Sequence, residues 1–233
     1  MEFRKLYADE IDCRVSQIAS NYCTLLLYKD ARVDMNILDE TIGAMNWKKA
    51  YLRDNANCVV SIWDESKKEW VSKEDTGTES FSEAEKGLAS DSFKRACFNW
   101  GIGRELYTAP SIFILPNKEM TPRGKDGEFY QNDKGRYETK TRFWVEYIDY
   151  VGNKIQNLII RDNKNNIRFV QLTKEKEKEL VELEKKLAMA IEIKESKDDK
   201  FDREKFYGNY KATSTSNMTI AQKEEALKLL GGK

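Results

Sequence analysis

Residues 85–107 read EKGLASDSFKRACFNWGIGRELY and predict an amphipathic helix that ends in a glycine turn. An apolar stripe recurs along this segment at helical spacing, comprising Ala89, Phe93, Ala96, Cys97 and Trp100. Gly101 and Gly103 follow the stripe, and glycine readily takes the positive φ that ends a helix. The segment therefore predicts one long helix with a buried face.

Two cations follow each other near the end of this predicted helix. Lys94 lies at the edge of the apolar stripe, and Arg95 points about 180° away from it at roughly 100° per residue. Cations on a rigid helix suit the phosphates of a nucleic acid. Alternatively, Arg95 pairs with Asp91 one turn earlier on a scaffold helix, a contact that contributes about 0.3–0.5 kcal/mol. The residues alone leave both interpretations open.

Three short strands are predicted before this helix, at Trp47–Arg53, Cys58–Trp63 and Glu69–Lys73, with Ser82 as the helix N-cap. They predict an α+β fold with an antiparallel β-β-β-α core. One face of the first strand interleaves aromatic and basic groups, namely Trp47, Lys49, Tyr51 and Arg53. Its rings can stack on bases, or Trp47 and Tyr51 can pack into the core; both interpretations stay open.

The flanking segments add further predicted elements. Before the core we expect a helix at 9–19, a strand at 22–28 and a helix at 33–45. After it we expect an extra β-hairpin region, with strands at 111–115, 139–150, 155–161 and 167–172 and a hairpin turn at Asn132–Gly135.

The composition and hydrophobic pattern of the chain change after Leu172. Leucine and isoleucine recur at helical spacing up to Ile191, residues 195–218 are polar and charged, and 219–230 predict a short helix. We therefore expect residues 1–172 to form the core. Residues 173–233 would be a C-terminal helical appendage with a flexible charged linker.

The charges balance, with 40 Lys and Arg against 40 Asp and Glu. Neutrality argues against a nucleic-acid binder unless the cations cluster in space. The middle of the chain carries a second basic set, mixed with aromatic residues: Lys118, Arg123, Lys125, Lys134, Arg136, Lys140 and Arg142. This set is consistent either with a binding surface or with a solvated loop and hairpin.

Composition also disfavours catalysis. The chain has no histidine, its four cysteines form no C-x-x-C pair, and it lacks the glycine-rich lysine motif of nucleotide-binding loops. We therefore expect no metal, no cofactor and no catalytic centre. No signal peptide or membrane span is predicted, so we expect a soluble protein of the cytoplasm.

The motifs SDSFKRA at 90–96 and GIGRELY at 101–107, preceded by KEDTGTES at 73–80, resemble the Rad fifty-two family of single-strand annealing proteins. The similarity is greatest to the phage recombinase branch, the Sak-like and DdrA-like proteins. It covers roughly residues 46–110 well and the first 45 loosely. The resemblance implies a ring or helical filament that holds single-stranded DNA in a basic groove and anneals it without ATP during recombination and repair.

The resemblance also implies site residues. Lys94 and Arg95 occupy the DNA-contacting helix positions, and Gly101 matches the turn glycine. Where eukaryotic members carry another basic residue, this chain has Phe98. This leaves more of the DNA contact to Lys49, Arg53 and Arg104. Lys86 and Tyr51 complete the set of candidate DNA-binding residues.

The expected partners are single-stranded DNA, the annealed duplex intermediate and further copies of the chain. A partner exonuclease or a host single-strand binding protein could bind the C-terminal region, in a bacterial cytoplasm if a phage encodes the chain. Two alternatives remain: a double-stranded RNA-binding module, and a metal-dependent nuclease. The nuclease would use acidic residues that lie in or near turns, namely Asp64, Glu65, Asp75 and Glu79.

Overall fold

The computed structural model describes residues 1–78, 84–117 and 127–231, with residues 84–86 described by their backbone alone. The strands, in chain order, are β1 (Asp12–Ile18), β2 (Cys23–Tyr28), β3 (Trp47–Leu52), β4 (Asn57–Asp64), β5 (Glu69–Thr76), β6 (Ile112–Ile114), β7 (Tyr130–Gln131), β8 (Tyr137–Glu138), β9 (Phe143–Val151), β10 (Lys154–Asp162) and β11 (Ile167–Gln171). The helices are α1 (Ala31–Ile42), α2 (Ala84–Trp100), α3 (Lys174–Lys197), α4 (Arg203–Asn209) and α5 (Ile220–Leu229). The α+β class is confirmed.

The chain divides into two compact units. The first contains Met1–Asp12 and Leu27–Ala109, and the second contains Cys13–Leu26 and Pro110–Lys233. The predicted boundary after Leu172 differs from this division. Helices α3 to α5 lie in the same unit as most of the strands, and hydrogen bonds join the start of α5 to β9 and β10.

The first unit is built on the antiparallel sheet β3-β4-β5. Its inner face carries Cys58, Val60 and Ile62, all buried, and α2 packs against this face. Asp30 caps the N-terminus of α1, where its Oδ1 accepts a hydrogen bond from the backbone N–H of Arg32 at 2.8 Å. The predicted β-β-β-α core is therefore confirmed.

The second unit is built on a six-stranded sheet in the order β11-β10-β9-β1-β2-β6, with a separate hairpin of β7 and β8. That hairpin turns at the predicted Asn132–Gly135, where Gly135 takes a φ of +75°. The strand order places β1 and β2, from the start of the chain, between β6 and β9.

The helix predicted at 9–19 is wrong. A three-residue 3-10 turn, Ala8–Glu10, precedes strand β1. Along β1 exposed Asp12, Arg14 and Ser16 alternate with half-buried Cys13 and Val15. This period-two pattern is that of a strand, and the sheet stabilises it over a local helical preference.

The segment expected to be a flexible linker, residues 195–218, contains α4 and the buried residues Ala212 and Met218. Its apolar side chains are mostly aromatic. They pack against the core of α3 and α5 and comprise Phe201, Phe206, Tyr207 and Tyr210. Among the described residues no helix combines the length and apolar character needed to cross a bilayer.

Candidate nucleic-acid interface

The apolar stripe of α2 is the side that packs on the sheet of the first unit. Phe93, Ala96 and Cys97 are fully buried. The ring of Trp47 stacks on Phe93 with centroids 6.2 Å apart, and the indole N–H of Trp100 donates to the Val60 carbonyl at 3.1 Å. The stripe predicted from the sequence is confirmed.

The segment that leads into α2 is held by Asp91. One carboxylate oxygen of Asp91 accepts hydrogen bonds from the backbone N–H of Thr78 at 2.9 Å and from its hydroxyl at 3.2 Å. The predicted N-cap Ser82 lies outside the described residues. Asp91 thus anchors the chain before the helix, and Arg95 pairs with Asp75 instead of Asp91.

Two cations converge on the C-terminal end of α2. Lys73 on β5 donates from Nζ to the Asn99 carbonyl at 2.9 Å. Arg104 donates from Nη2 to the same carbonyl at 2.8 Å and from Nε to the Phe98 carbonyl at 2.8 Å. The last carbonyls of a helix lack intrahelical partners and carry partial negative charge, so these cations cap the helix.

A third cation lies one turn earlier on the same side of the helix. The Nε of Arg95 is 3.3 Å from Oδ1 of Asp75 on β5, and the Arg95 side chain remains 46% exposed. The amide of Asn99 donates to the other oxygen of Asp75 at 3.3 Å and to the Glu74 carbonyl at 2.9 Å. Lys73, Arg95 and Arg104 therefore surround Asn99.

Two aromatic rings lie beside these cations. Phe98 and Tyr107 have ring centroids 4.6 Å apart, and the guanidinium carbon of Arg104 is 5.5 Å from the centre of the Phe98 ring. Tyr107 is 74% exposed. We call this group the α2 end cluster; it comprises Lys73, Arg95, Phe98, Asn99, Arg104 and Tyr107.

Lys94 lies on another side of α2, facing the α1 region. Burial raises the pKa of Asp34 on α1 to about 6, against the opposing effect of its ion pair with Lys29 and of the nearby Lys94 charge. At Asp30 the side chain and backbone of Arg32 lower the pKa most, and Lys94 adds to this effect. Lys94 and Arg95 therefore face different surroundings and do not form one continuous strip.

The face of β3 that interleaves aromatic and basic residues is the face that packs on α2. The Nζ of Lys49 is 4.4 Å from the centre of the Phe93 ring and 5.8 Å from that of Tyr51. Burial raises the pKa of the Tyr51 hydroxyl, and the neighbouring Cys58 and Cys97 thiols add to the rise. Trp47 and Tyr51 thus lie half-buried on the packed face, which favours the packing interpretation of these two rings.

Arg53 departs from the predicted strand. Strand β3 ends at Leu52, and Arg53, Asp54 and Asn55 all take a positive φ between 51° and 70°. The Ser92 hydroxyl donates to the Asn55 carbonyl at 3.0 Å, which holds this turn against α2. Arg53 is exposed in a turn, so the prediction that it shares one strand face with Lys49 and Tyr51 is wrong.

The structure brings only some of the predicted site residues together. Arg95 and Arg104 meet in the α2 end cluster, while Lys94 and Arg53 lie elsewhere in the first unit. The side chain of Lys86 lies outside the described residues. Sequence reasoning missed Lys73 and Tyr107. Lys73 could have been found by alternation along β5, since it shares a face with Val71 and Asp75.

Three members of the second basic set, Lys118, Arg123 and Lys125, lie outside the described residues. In the second unit, Lys134 is in the β7–β8 turn and Lys140 Nζ is 5.7 Å from the centre of the Tyr130 ring. Among the residues described, no three side chains of a ligating type are grouped so that they could hold a metal ion.

The predicted nuclease carboxylates serve local structure where they are described. Asp64 accepts hydrogen bonds from the Ser66 backbone N–H and hydroxyl, and Glu65 accepts one from the Trp63 indole. Glu79 lies outside the described residues.

Comparison with known proteins gave no match, whether to a family model, to a curated protein or to a solved structure.

Proposed function

We propose that the protein binds single-stranded DNA and anneals complementary strands without ATP, as a DNA-annealing protein of homologous recombination. The observation that carries the proposal is the α2 end cluster, in which three cations surround one helix end beside an exposed tyrosine ring. The resemblance of residues 46–110 to the Rad fifty-two family supports the same function.

The cluster meets the two chemical needs of a single-strand site. Cations contact phosphates without reading sequence, and an exposed ring stacks on an unpaired base of any identity. Lys73 and Arg104 share one carbonyl acceptor, so their positions are fixed before a ligand arrives. Tyr107 is exposed next to them, where a base could stack.

Local charge answers the objection raised by the neutral composition. Lys73 and Arg104 both contact the Asn99 carbonyl, and Arg95 lies one helical turn earlier in contact with Asp75. A protomer with so few contacts would bind weakly by itself. We propose that several protomers in a ring or filament each contribute a few contacts, so that avidity supplies the affinity.

In this mechanism the protein is not an enzyme and needs no cofactor. The protomers hold the backbone of one strand, leave its base edges accessible, and release the duplex after a complementary strand pairs. A partner exonuclease or a host single-strand binding protein would act with it in a bacterial cytoplasm.

A salt titration of single-strand binding tests the proposal. We expect Arg95→Ala to lower the affinity for a labelled thymidine 30-mer and to reduce the slope of log K against log salt by about 0.7, since one phosphate contact is lost. Lys67→Ala is the matched control, because Lys67 is an exposed cation of the same unit, in the β4–β5 turn. Equal effects of both variants, with folding intact, would refute the assignment.

An ATP-free annealing assay separates the proposal from its rivals. We expect faster pairing of complementary oligonucleotides and particles that change size when DNA is added. Tighter binding of double-stranded RNA than of single-stranded DNA would favour the RNA-binding module. Degradation of DNA in Mg²⁺, abolished by EDTA, would favour the nuclease.

A further inference from the structure

Asp75 contacts Arg95 and Asn99 of the α2 end cluster, and its shortest hydrogen bond is with its own strand. Its Oδ1 accepts a hydrogen bond from the Thr76 backbone N–H at 2.7 Å. Its contacts with Arg95 Nε and with the Asn99 amide are both 3.3 Å long. Charge-assisted hydrogen bonds of full strength are about 2.7–2.9 Å long. The backbone therefore fixes Asp75, and Asp75 holds Arg95 loosely.

Arg95 uses only part of its hydrogen-bonding capacity in this contact. Within the described residues its hydrogen bond to Asp75 runs through Nε, and Nη1 and Nη2 make no protein hydrogen bond. The side chain is about half exposed, whereas Asp75 is 25% exposed. A guanidinium held at one edge can turn toward an incoming phosphate while Asp75 keeps its bonds to Thr76 and Asn99.

We propose that Asp75 is an internal competitor for phosphate that lowers the affinity of the α2 end cluster and speeds release of bound DNA. This inference rests on the proposed function and names a further residue that controls it. A carboxylate and a phosphate present the same charge sign and the same kind of oxygen to Arg95. A phosphate contact that uses Nε of Arg95 therefore requires that the ion pair with Asp75 be broken, and a contact at Nη1 or Nη2 is opposed by the nearby Asp75 charge.

The role of Asp75 fits the task of annealing. A protein that held single strands too tightly would retain the paired product. A weak internal ion pair lowers the net gain at Arg95 without removing the cation from the surface. The direction of the effect follows from charge alone, because Asp75 repels phosphate and also occupies Arg95.

A double-mutant cycle tests the inference. Asp75→Asn removes the charge and keeps the size, and an exposed ion pair of this kind corresponds to about a two- to fivefold change in affinity. We expect Asp75→Asn to tighten binding of the thymidine 30-mer by that factor and to slow its dissociation. In an Arg95→Ala background the same substitution should give a clearly smaller gain, because the competitor acts through Arg95.

Glu69→Gln is the matched control, since Glu69 is an exposed carboxylate at the other end of β5. Unchanged or weaker binding by Asp75→Asn, in a variant that unfolds at the wild-type denaturant concentration, would overturn the inference and leave the proposed function standing. A gain of equal size in the Arg95→Ala background would overturn it as well. If the wild-type protein bound no single-stranded DNA, both proposals would fall together.

If Asp75→Asn did not fold, Asp75→Ser would serve as the second variant, because its hydroxyl can still accept a hydrogen bond from the Thr76 N–H. The expected gain and the overturning outcomes are the same for this variant.

Discussion

Arg161 on β10 and Glu146 on β9 form an ion pair inside the second unit, with side chains only 2% and 3% exposed. The pair also binds the C-terminal segment. Arg161 Nη2 donates to the Met218 carbonyl at 3.0 Å, and Glu146 Oε1 accepts from the Ile220 N–H at 2.7 Å. The start of α5 is therefore bonded to strands β9 and β10 of the sheet.

Loss of Arg161 should destabilise the second unit strongly. Arg161→Ala leaves the Glu146 carboxylate buried without its counter-charge, a change that costs about 3–5 kcal/mol. Urea denaturation measures the loss. Arg142→Ala, at an exposed position just before β9, should change the unfolding free energy by less than about 0.5 kcal/mol. Similar stabilities of the two variants would contradict the role given to the buried pair.

Removal of the C-terminal segment should disrupt the folding of the second unit, because this segment is part of a buried core. A chain that ends at Lys211 lacks Ala212, Met218, Ala226 and Leu227, which are buried against Leu187 and Ile191. We expect this chain to expose apolar surface and to aggregate in size-exclusion chromatography. A chain that lacks only residues 231–233 is the control. A monodisperse, cooperatively folded product ending at Lys211 would show that α5 is dispensable.

Gly77 should tolerate no side chain. A Cβ at this position would lie 2.5 Å from the Ser92 backbone nitrogen and 2.7 Å from the Leu88 carbonyl oxygen, both in α2. We expect Gly77→Ala to cost about 1–3 kcal/mol or more, because α2 must move. Gly101→Ala is the comparison, since it has a φ of +107° and open space within 4 Å. If Gly101→Ala is the more destabilising variant, the close packing of Gly77 against α2 is not what makes Gly77 necessary.

Asp34 should make the stability of the first unit depend on pH. Its folded-state pKa of about 6 lies above the unfolded value near 3.9, so the folded state holds the extra proton between these values. Raising the pH through this window therefore removes stability, by on the order of 2–3 kcal/mol. The charged groups that face it include Lys29, Asp30 and Lys94.

Asp34→Asn reports this effect. Between pH 4 and pH 7 the unfolding free energy of the wild type should fall relative to that of Asp34→Asn. Asp30→Asn is the control, since the pKa of Asp30 is lowered, chiefly by Arg32, and an asparagine can still cap α1. A constant difference for Asp34→Asn over this range would contradict the assignment.

Tyr107 should contribute to single-strand binding without contributing to its salt dependence. Tyr107→Ala removes a stacking surface, and base stacking on an aromatic ring contributes about 1–3 kcal/mol. We therefore expect weaker binding of the thymidine 30-mer with an unchanged slope against salt. Tyr7→Ala is the control, because Tyr7 is 60% exposed and also contacts an arginine, with Arg4 at 4.3 Å from its ring centre. Equal losses of affinity in the two variants would show that Tyr107 does not contact the bound DNA.

Sequence patterns predicted the β3-β4-β5-α2 core well because each element carries a clear period and a clear end. Phe93 and Cys97 mark the buried side of α2, and Gly101 marks its end. The strand β1 was missed because its exposed and half-buried residues alternate over only a few positions. Its stability comes from neighbouring strands that a local pattern cannot reveal.

The candidate site was only partly predictable for a similar reason. Arg95 and Arg104 could be chosen from the helix and its turn. Lys73 reaches the same helix end only because β5 packs against α2. Phe98 belongs to the site because its ring packs against that of Tyr107. The pairing of Arg95 with Asp75 spans 20 residues, beyond the reach of helical spacing.

The order of strands in the large sheet has a kinetic consequence. β1 and β2 leave the ribosome early, whereas β9, the neighbour of β1, is completed more than 120 residues later. Sheets that join such distant segments fold slowly, and their unpaired strand edges are prone to aggregation meanwhile. During synthesis the edge of β1 that pairs with β9 therefore stays unpaired until residues 143–162 have been made. The yield of folded protein should depend on how fast these residues are synthesised.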